Sequence, residues 1–231
     1  MSRCVIQLVR CPACGAEQEE KVFVSVNGAR IKTAAQRITE GRWGNVTCLA
    51  CGQGYLADPP QLYCDLPGGI WLARYPLGWR GRFAALETEA EATFSKEFLE
   101  RPPAAIREQA AAVRRRICFG RMQFVEKLLA WRHGIDDRLL ECLKLGLSRD
   151  LLNHLFTHGP WEWLLTAVGE EGLEVIAVTV ADQRPIYQSM VPHEELRRME
   201  SLLPQYEARF PELFGRAYVH ASRYVTEQVP A

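Results

Sequence analysis

No stretch of this chain stays apolar for the roughly 18 to 20 residues that a membrane span requires. Its opening run, Met-Ser-Arg-Cys-Val-Ile-Gln, has neither the long apolar core nor the small-residue cleavage site of a secretory signal. The expectation is a cytoplasmic protein with no membrane partner. Net charge is lacking as well: 28 basic residues balance 28 acidic ones and the pI is near 7.0, whereas a dedicated sequence-independent nucleic-acid binder carries a basic excess. Lysine is scarce, at five residues against 23 arginines. Internal repeats and low-complexity tracts are missing. So are G-x-S-x-G, the P-loop and G-x-G-x-x-G, which removes the short signatures of common hydrolases and nucleotide binders.

What is present suffices for a packed protein. Across 231 residues, 48% are hydrophobic and 24% charged, which excludes wholesale disorder and fibrous classes and allows one large domain or two modest ones. Three textures follow one another. Residues 1–80 carry short β-branched runs at 4–10, 21–26, 43–47, 55–57, 62–66 and 70–75, punctuated by Asn27-Gly28, Asp58-Pro59-Pro60 and Pro67-Gly68-Gly69, with a brief helix at 33–41. Residues 81–159 read as a helical array. Pro102-Pro103 opens a run with Ile106, Ala110, Val113 and Ile117 at helical spacing, Gly134 stops its continuation, and Gly146-Leu147-Ser148 closes one further helix and starts another. Residues 160–231 start with strands at 161–168 and 173–181 around Gly169-Glu170-Glu171-Gly172, add a third strand at 185–190, and continue into a helix at 193–203. The fold class expected is α+β: a mostly-β, zinc-ribbon-like N-terminal domain, a central helical region and a C-terminal meander with helices.

The eight cysteines carry the chemistry. Cys11-Pro-Ala-Cys14-Gly15 and Cys48-Leu-Ala-Cys51-Gly52 are two Cys-x-x-Cys-Gly turns. Two intervening residues let a tight turn aim both sulfurs at one ion, and the glycine permits the torsions that follow. Two such turns make a four-sulfur tetrahedral shell, which favours Zn²⁺, with iron as the alternative because rubredoxin-like sites use the same turns. Disulfides would need an oxidising compartment, and thioredoxin-type chemistry needs one Cys-x-x-Cys in a βαβ setting. Cys4, Cys64, Cys118 and Cys142 read as small buried hydrophobes, with Cys4 and Cys64 as candidates for a place near the metal.

The sequence resembles the bacterial and archaeal CpXC domain. The resemblance rests on Cys-Pro-Ala-Cys-Gly, the strand Val22–Val26 with Asn27, the second Cys-x-x-Cys-Gly, Pro60-x-Leu62-Tyr63 and Tyr75-Pro76. It extends through Arg116-Ile-Cys-Phe-Gly120, Glu126-Lys127 and Gly134-Ile-Asp-Asp-Arg138, and so over most of residues 4–150. It implies a zinc-binding β domain with a helical extension, in a family without an assigned biochemical role, and it transfers the ligand role to Cys11, Cys14, Cys48 and Cys51. Leu49 stands where the name-giving motif has proline; this bears on turn stiffness and leaves the ligands in place.

Beyond the metal the inventory is plain. His154 and His158 are spaced i,i+4 but lack the following glutamate of H-E-x-x-H, and together with His133, His193 and His220 they read as ordinary histidines. Asp136-Asp137 reads as a helix start, Asp136 being the cap. Arg114-Arg115-Arg116 reads as a solvated or salt-bridged helix face, against the acidic run Glu87, Glu89 and Glu91. Phe156, Trp161 and Trp163 read as core, and the two tryptophans with Tyr187 are the available anchors for a partner. Charge is uneven, at +3 for residues 1–80, +3 for 81–135 and −6 for 136–231, so the C-terminal part is expected to engage a basic surface. A filled metal shell without catalytic motifs points to a protein-interaction or regulatory module holding a protein partner or another copy of itself. Nucleic-acid association through residues 1–135 and an enzyme whose site needs no short motif are the alternatives.

Overall fold

The computed structural model describes residues 2–155 and 160–225, and the chain divides into two compact units, 1–121 and 122–231. In the first unit, β1 (Arg3–Arg10), β2 (Glu17–Asn27), β5 (Gln61–Asp65), β6 (Ile70–Tyr75) and β7 (Arg114–Phe119) form one sheet in the order β1-β2-β5-β6-β7. Its pairing is mixed. β1/β2 and β5/β6 are antiparallel hairpin partners, whereas β2/β5 and β6/β7 are parallel and are joined by long excursions. The first excursion holds α1 (Ala34–Thr39) and a small hairpin, β3 (Asn45–Thr47) with β4 (Gly54–Leu56). The second holds α2 (Phe83–Phe94), a π-helical turn over 95–100 and α3 (Ala104–Ala111).

Packing follows the residue pattern. On α2 the buried Leu86, Ala90 and Phe94 lie four residues apart, hence on one face, and Phe94 meets Trp71 of β6 edge-on with ring centroids 5.5 Å apart. A separate small core of Val9, Val22 and Val46, flanked by Val5, Val24 and Tyr55, sits where the two cysteine-bearing hairpins meet.

The second unit contains α4 (Gly120–Arg132) from Met122 onward, α5 (Asp137–Leu155), the antiparallel meander β8 (Trp161–Val168), β9 (Gly172–Thr179) and β10 (Pro185–Pro192), then α6 (His193–Arg209) and two single turns, α7 (Glu212–Gly215) and α8 (Ser222–Val225). Its core joins Leu139, Leu140 and Leu143 of α5 to Trp163, Leu165, Leu173, Val175 and Ala177 of the meander and Met199 of α6. The molecule is thus α+β, with N-terminal strands, central helices and a C-terminal strand meander with helices.

Three local expectations change. Residues 114–119 form the strand β7 where helical spacing had suggested a helix, so Arg114 and Arg115 are exposed strand residues while Arg116 is buried. Helix α5 runs unbroken through Gly146-Leu147-Ser148. Helix α6 continues past Pro204 to Arg209. Among the described residues no helix is long and apolar enough to cross a membrane.

Candidate metal centre

Each Cys-x-x-Cys-Gly sequence becomes the loop of a hairpin. Arg10 pairs with Glu17 at the end of β1/β2, and Thr47 with Gly54 at the end of β3/β4, so the loops are residues 11–16 and 48–53. Their backbones are near-copies. The Cys11 N–H donates to Ala16 O at 2.8 Å and the Gly15 N–H to Cys11 O at 2.9 Å; the Cys48 N–H donates to Gln53 O at 2.9 Å and the Gly52 N–H to Cys48 O at 2.9 Å. Closing the turn this way needs a left-handed residue at its end. Gly15 and Gly52 supply it with φ of 74° and 73°, a conformation strained for any residue with a Cβ.

The two loops bring their sulfurs together. Cys11 Sγ lies 3.8 Å from Cys51 Sγ and Cys14 Sγ 3.6 Å from Cys48 Sγ, and all four sulfurs fall within 4.8 Å of one another. A tetrahedral ion with metal–sulfur bonds of about 2.3 Å spaces its ligands ~3.8 Å apart, so the set can hold a metal ion with little movement. Disulfide bonds, at about 2.05 Å, are far shorter, and the cysteines are free. The first cysteine of each turn is buried and the second exposed.

Four sulfurs this close work against one another. The Cys48 thiol is drawn down to about 7, first by the Cys51 N–H. For Cys14 the Ala16 N–H pulls downward, but the neighbouring Cys51 and Cys48 sulfurs outweigh it and the thiol is pushed up to about 12. One sulfur thus ionises readily beside another that is held protonated, and a divalent cation resolves that conflict by binding the deprotonated forms. Tyr55 of β4 has a buried hydroxyl without a hydrogen-bond partner, and burial followed by the charges of Cys11 and Cys48 raises its pKa. The donor set fits a thiophilic divalent ion.

Gln18, at the start of β2, is a positioning residue that no sequence motif marks. Its Nε2 donates to Thr47 O at 3.0 Å and its Oε1 accepts the Leu49 N–H at 2.8 Å, which clamps the second cysteine loop onto the first hairpin. The only hint in the sequence is Leu49 itself, since proline there would have no N–H to give.

The other cysteines stay apart from this set. Cys118 and Cys142 are buried as expected, and burial pushes Cys142 up to about 12, an inert thiol. Cys4 and Cys64 are half-exposed rather than buried, a correction to their reading as core; neither joins the four-sulfur group. Asp136 caps α5 as expected, its Oδ1 accepting the Arg138 N–H at 2.9 Å. Trp161 and Trp163 belong to the core of the second unit. They are therefore unavailable as partner anchors, which leaves the half-exposed Tyr187. Phe156 and His158 lie outside the described residues, and only the backbone of His154 is described.

His220 departs from its expected ordinary role. It is buried with Glu126 and Glu141, and the three bring ligand atoms within 4.8 Å of one another. Their meeting joins α4, α5 and the segment after α7, too far apart in sequence for any spacing rule to register.

No curated protein and no solved structure matches the chain. The CpXC protein family profile matches residues 9–144, a span that runs from the first cysteine loop through both hairpins and into α5. With more than half of its length covered, and with the two cysteine loops folded as near-copies around one four-sulfur cluster, the chain belongs to the CpXC protein family.

Proposed function

We propose that Cys11, Cys14, Cys48 and Cys51 hold one structural Zn²⁺, and that the chain is a cytoplasmic protein-interaction or regulatory module whose partner adds a strand along β1. Four thiolates complete a tetrahedral shell and leave no coordination position for water or substrate, which supports a structural metal over a catalytic one. The observation that carries the interaction reading is the edge of the five-stranded sheet. β1 is one of its two edge strands, and on one face it presents Ile6 and Leu8, 73% and 58% exposed. Long edges with apolar side chains template pairing with another chain, and native edges are normally blunted by charge or proline. Here the strand leads directly into the first cysteine loop, so an ion that fixes the loop also fixes the register of the edge. An extended apolar strand is the matching ligand, from a second copy or from another protein.

The test is sedimentation velocity of the parent and of Ile6→Lys/Leu8→Lys, followed by capture from native lysate. The expected result is an assembly or a captured protein in the parent that the double variant loses while retaining its metal. A parent that stays monomeric and captures nothing, or a double variant that behaves like the parent, overturns the reading. Steeply salt-dependent nucleic-acid binding by the parent would instead favour the nucleic-acid alternative.

A further inference from the structure

Two of the five lysines, Lys127 and Lys144, are completely enclosed in the second unit together with Glu126, Asp137 and Glu141. An ammonium removed from water costs several kcal/mol unless its partners replace the hydration shell. Around Lys144 Nζ the replacement is excessive. Glu126 Oε1 and Oε2 both lie at 3.0 Å, Glu141 Oε1 at 2.9 Å and Oε2 at 2.8 Å, and His220 Nε2 at 3.3 Å. An ammonium has three protons to donate, so the four carboxylate oxygens alone outnumber its hydrogen bonds. Such crowding of acceptors around one positive centre is how a coordination shell is built.

The shell is also oriented from behind. Glu126 Oε1 accepts the Leu165 N–H at 2.8 Å, Glu141 Oε2 accepts the Ala221 N–H at 2.7 Å, and His220 Nδ1 lies 2.6 Å from Ser222 Oγ. Outer hydrogen bonds of this kind fix the rotamers of metal ligands, and none of these three involves Lys144. Lys127 closes the remaining side, with its Nζ 2.8 Å from Glu141 Oε1 and 3.4 Å from Asp137 Oδ2. Burial disfavours its charge, but Glu141, Asp137 and Glu126 more than compensate and hold it protonated.

We propose that Glu126, Glu141 and His220 form a cation site whose resident cation is the Lys144 ammonium, and that the same site accepts a divalent transition metal once that ammonium is removed. In the parent a metal ion would have to displace one ammonium and remain beside a second, so among the described residues the four sulfurs are the cluster left for a metal. Two carboxylates and one imidazole suit Mn²⁺, Co²⁺ or Zn²⁺. The proposal is independent of the β1 reading.

Co²⁺ is the probe, because sulfur ligation gives intense charge-transfer absorption that nitrogen and oxygen ligation does not. The full-length parent should bind one Co²⁺ with the sulfur signature. Lys144→Ala should bind a second without added sulfur absorption, and its lowered melting temperature should rise with Co²⁺ concentration as mass action requires. Placing Ser222→Ala on that background should weaken the second site by about tenfold, the usual effect of losing an outer partner, and His220→Gln should abolish it. If Lys144→Ala does not fold in buffer, recovery of its fold on refolding with Co²⁺ supports the proposal. Failure to recover in both Lys144→Ala and Lys144→Ser overturns it, as does a folded Lys144→Ala that binds only one ion. A parent that binds two ions and loses one on His220→Gln overturns it in the opposite sense, making a metal the resident cation.

Discussion

Leu49 occupies the position at which the family motif has proline, and the structure gives that difference a mechanical meaning. Its side chain is 84% exposed and does little, but its N–H is held by Gln18 Oε1 at 2.8 Å, and the same Gln18 side chain reaches Thr47 O at 3.0 Å. Leu49→Pro would restore the motif and stiffen the unfolded chain, a gain of about 0.4–1 kcal/mol where the backbone is compatible. It would also delete the donor to a part-buried acceptor, a loss of about 1–3 kcal/mol. The second effect is larger, so Leu49→Pro is expected to destabilise the metal-loaded protein by about 1 kcal/mol in chemical denaturation. Gln18→Ala removes this bond and the one to Thr47 O and should cost at least as much, and the two together no more than Gln18→Ala alone, because the shared bond is then already gone. Additive losses would show that the clamp is not shared.

At the scale of the element, local pattern located most strands and helices and failed where distant partners decide. The hairpins carrying the cysteines were legible because alternation, turn residues and the Cys-x-x-Cys-Gly loops all agree. β7 was not: Val113 and Ile117 continue a helical spacing, yet Arg114–Phe119 pairs in parallel with Ile70–Tyr75, and its last four residues are buried. A short continuous buried run reads alike as helix or strand until its neighbour is known. The lysine shell was hidden for a related reason, since Lys127 lies on α4 and Glu141 and Lys144 on α5, and the backbone that meets their carboxylate partners, Leu165 on Glu126 and Ala221 on Glu141, is distant in sequence. α5 misled through a single residue. Gly146 suggested a stop, but the helix passes through it, and a Cβ there would meet nothing nearer than Tyr206 Oη at 3.6 Å. A glycine held in an unstrained helix interior costs about 0.5–1 kcal/mol relative to alanine. Gly146→Ala is therefore expected to raise unfolding stability by about that amount in urea titration. A loss of stability would mean that the chain needs a break at this point.

On the scale of the whole molecule, each of the two units has its own source of internal stability. The second has a continuous core running from Leu129 of α4 through α5 and the meander to Met199 of α6. The cysteine-bearing hairpins of the first share a cluster whose buried members are Val9, Val22 and Val46, a core too small to fix two loops by burial alone. On the proposed metal site, ligand assembly supplies the missing folding free energy, since four thiols brought together without a cation oppose one another. Removing the metal with a strong chelator is expected to free the amides of residues 11–16 and 45–56 to exchange at rates near those of an unfolded chain. The amides of β8 and β9 should keep their protection, because their bonds and side chains belong to the second core. Hydrogen exchange followed by mass spectrometry, on metal-loaded and chelated samples of the full chain, measures both regions together. Equal loss in the two regions would make the metal a determinant of the whole fold, and no loss in either would remove its structural role.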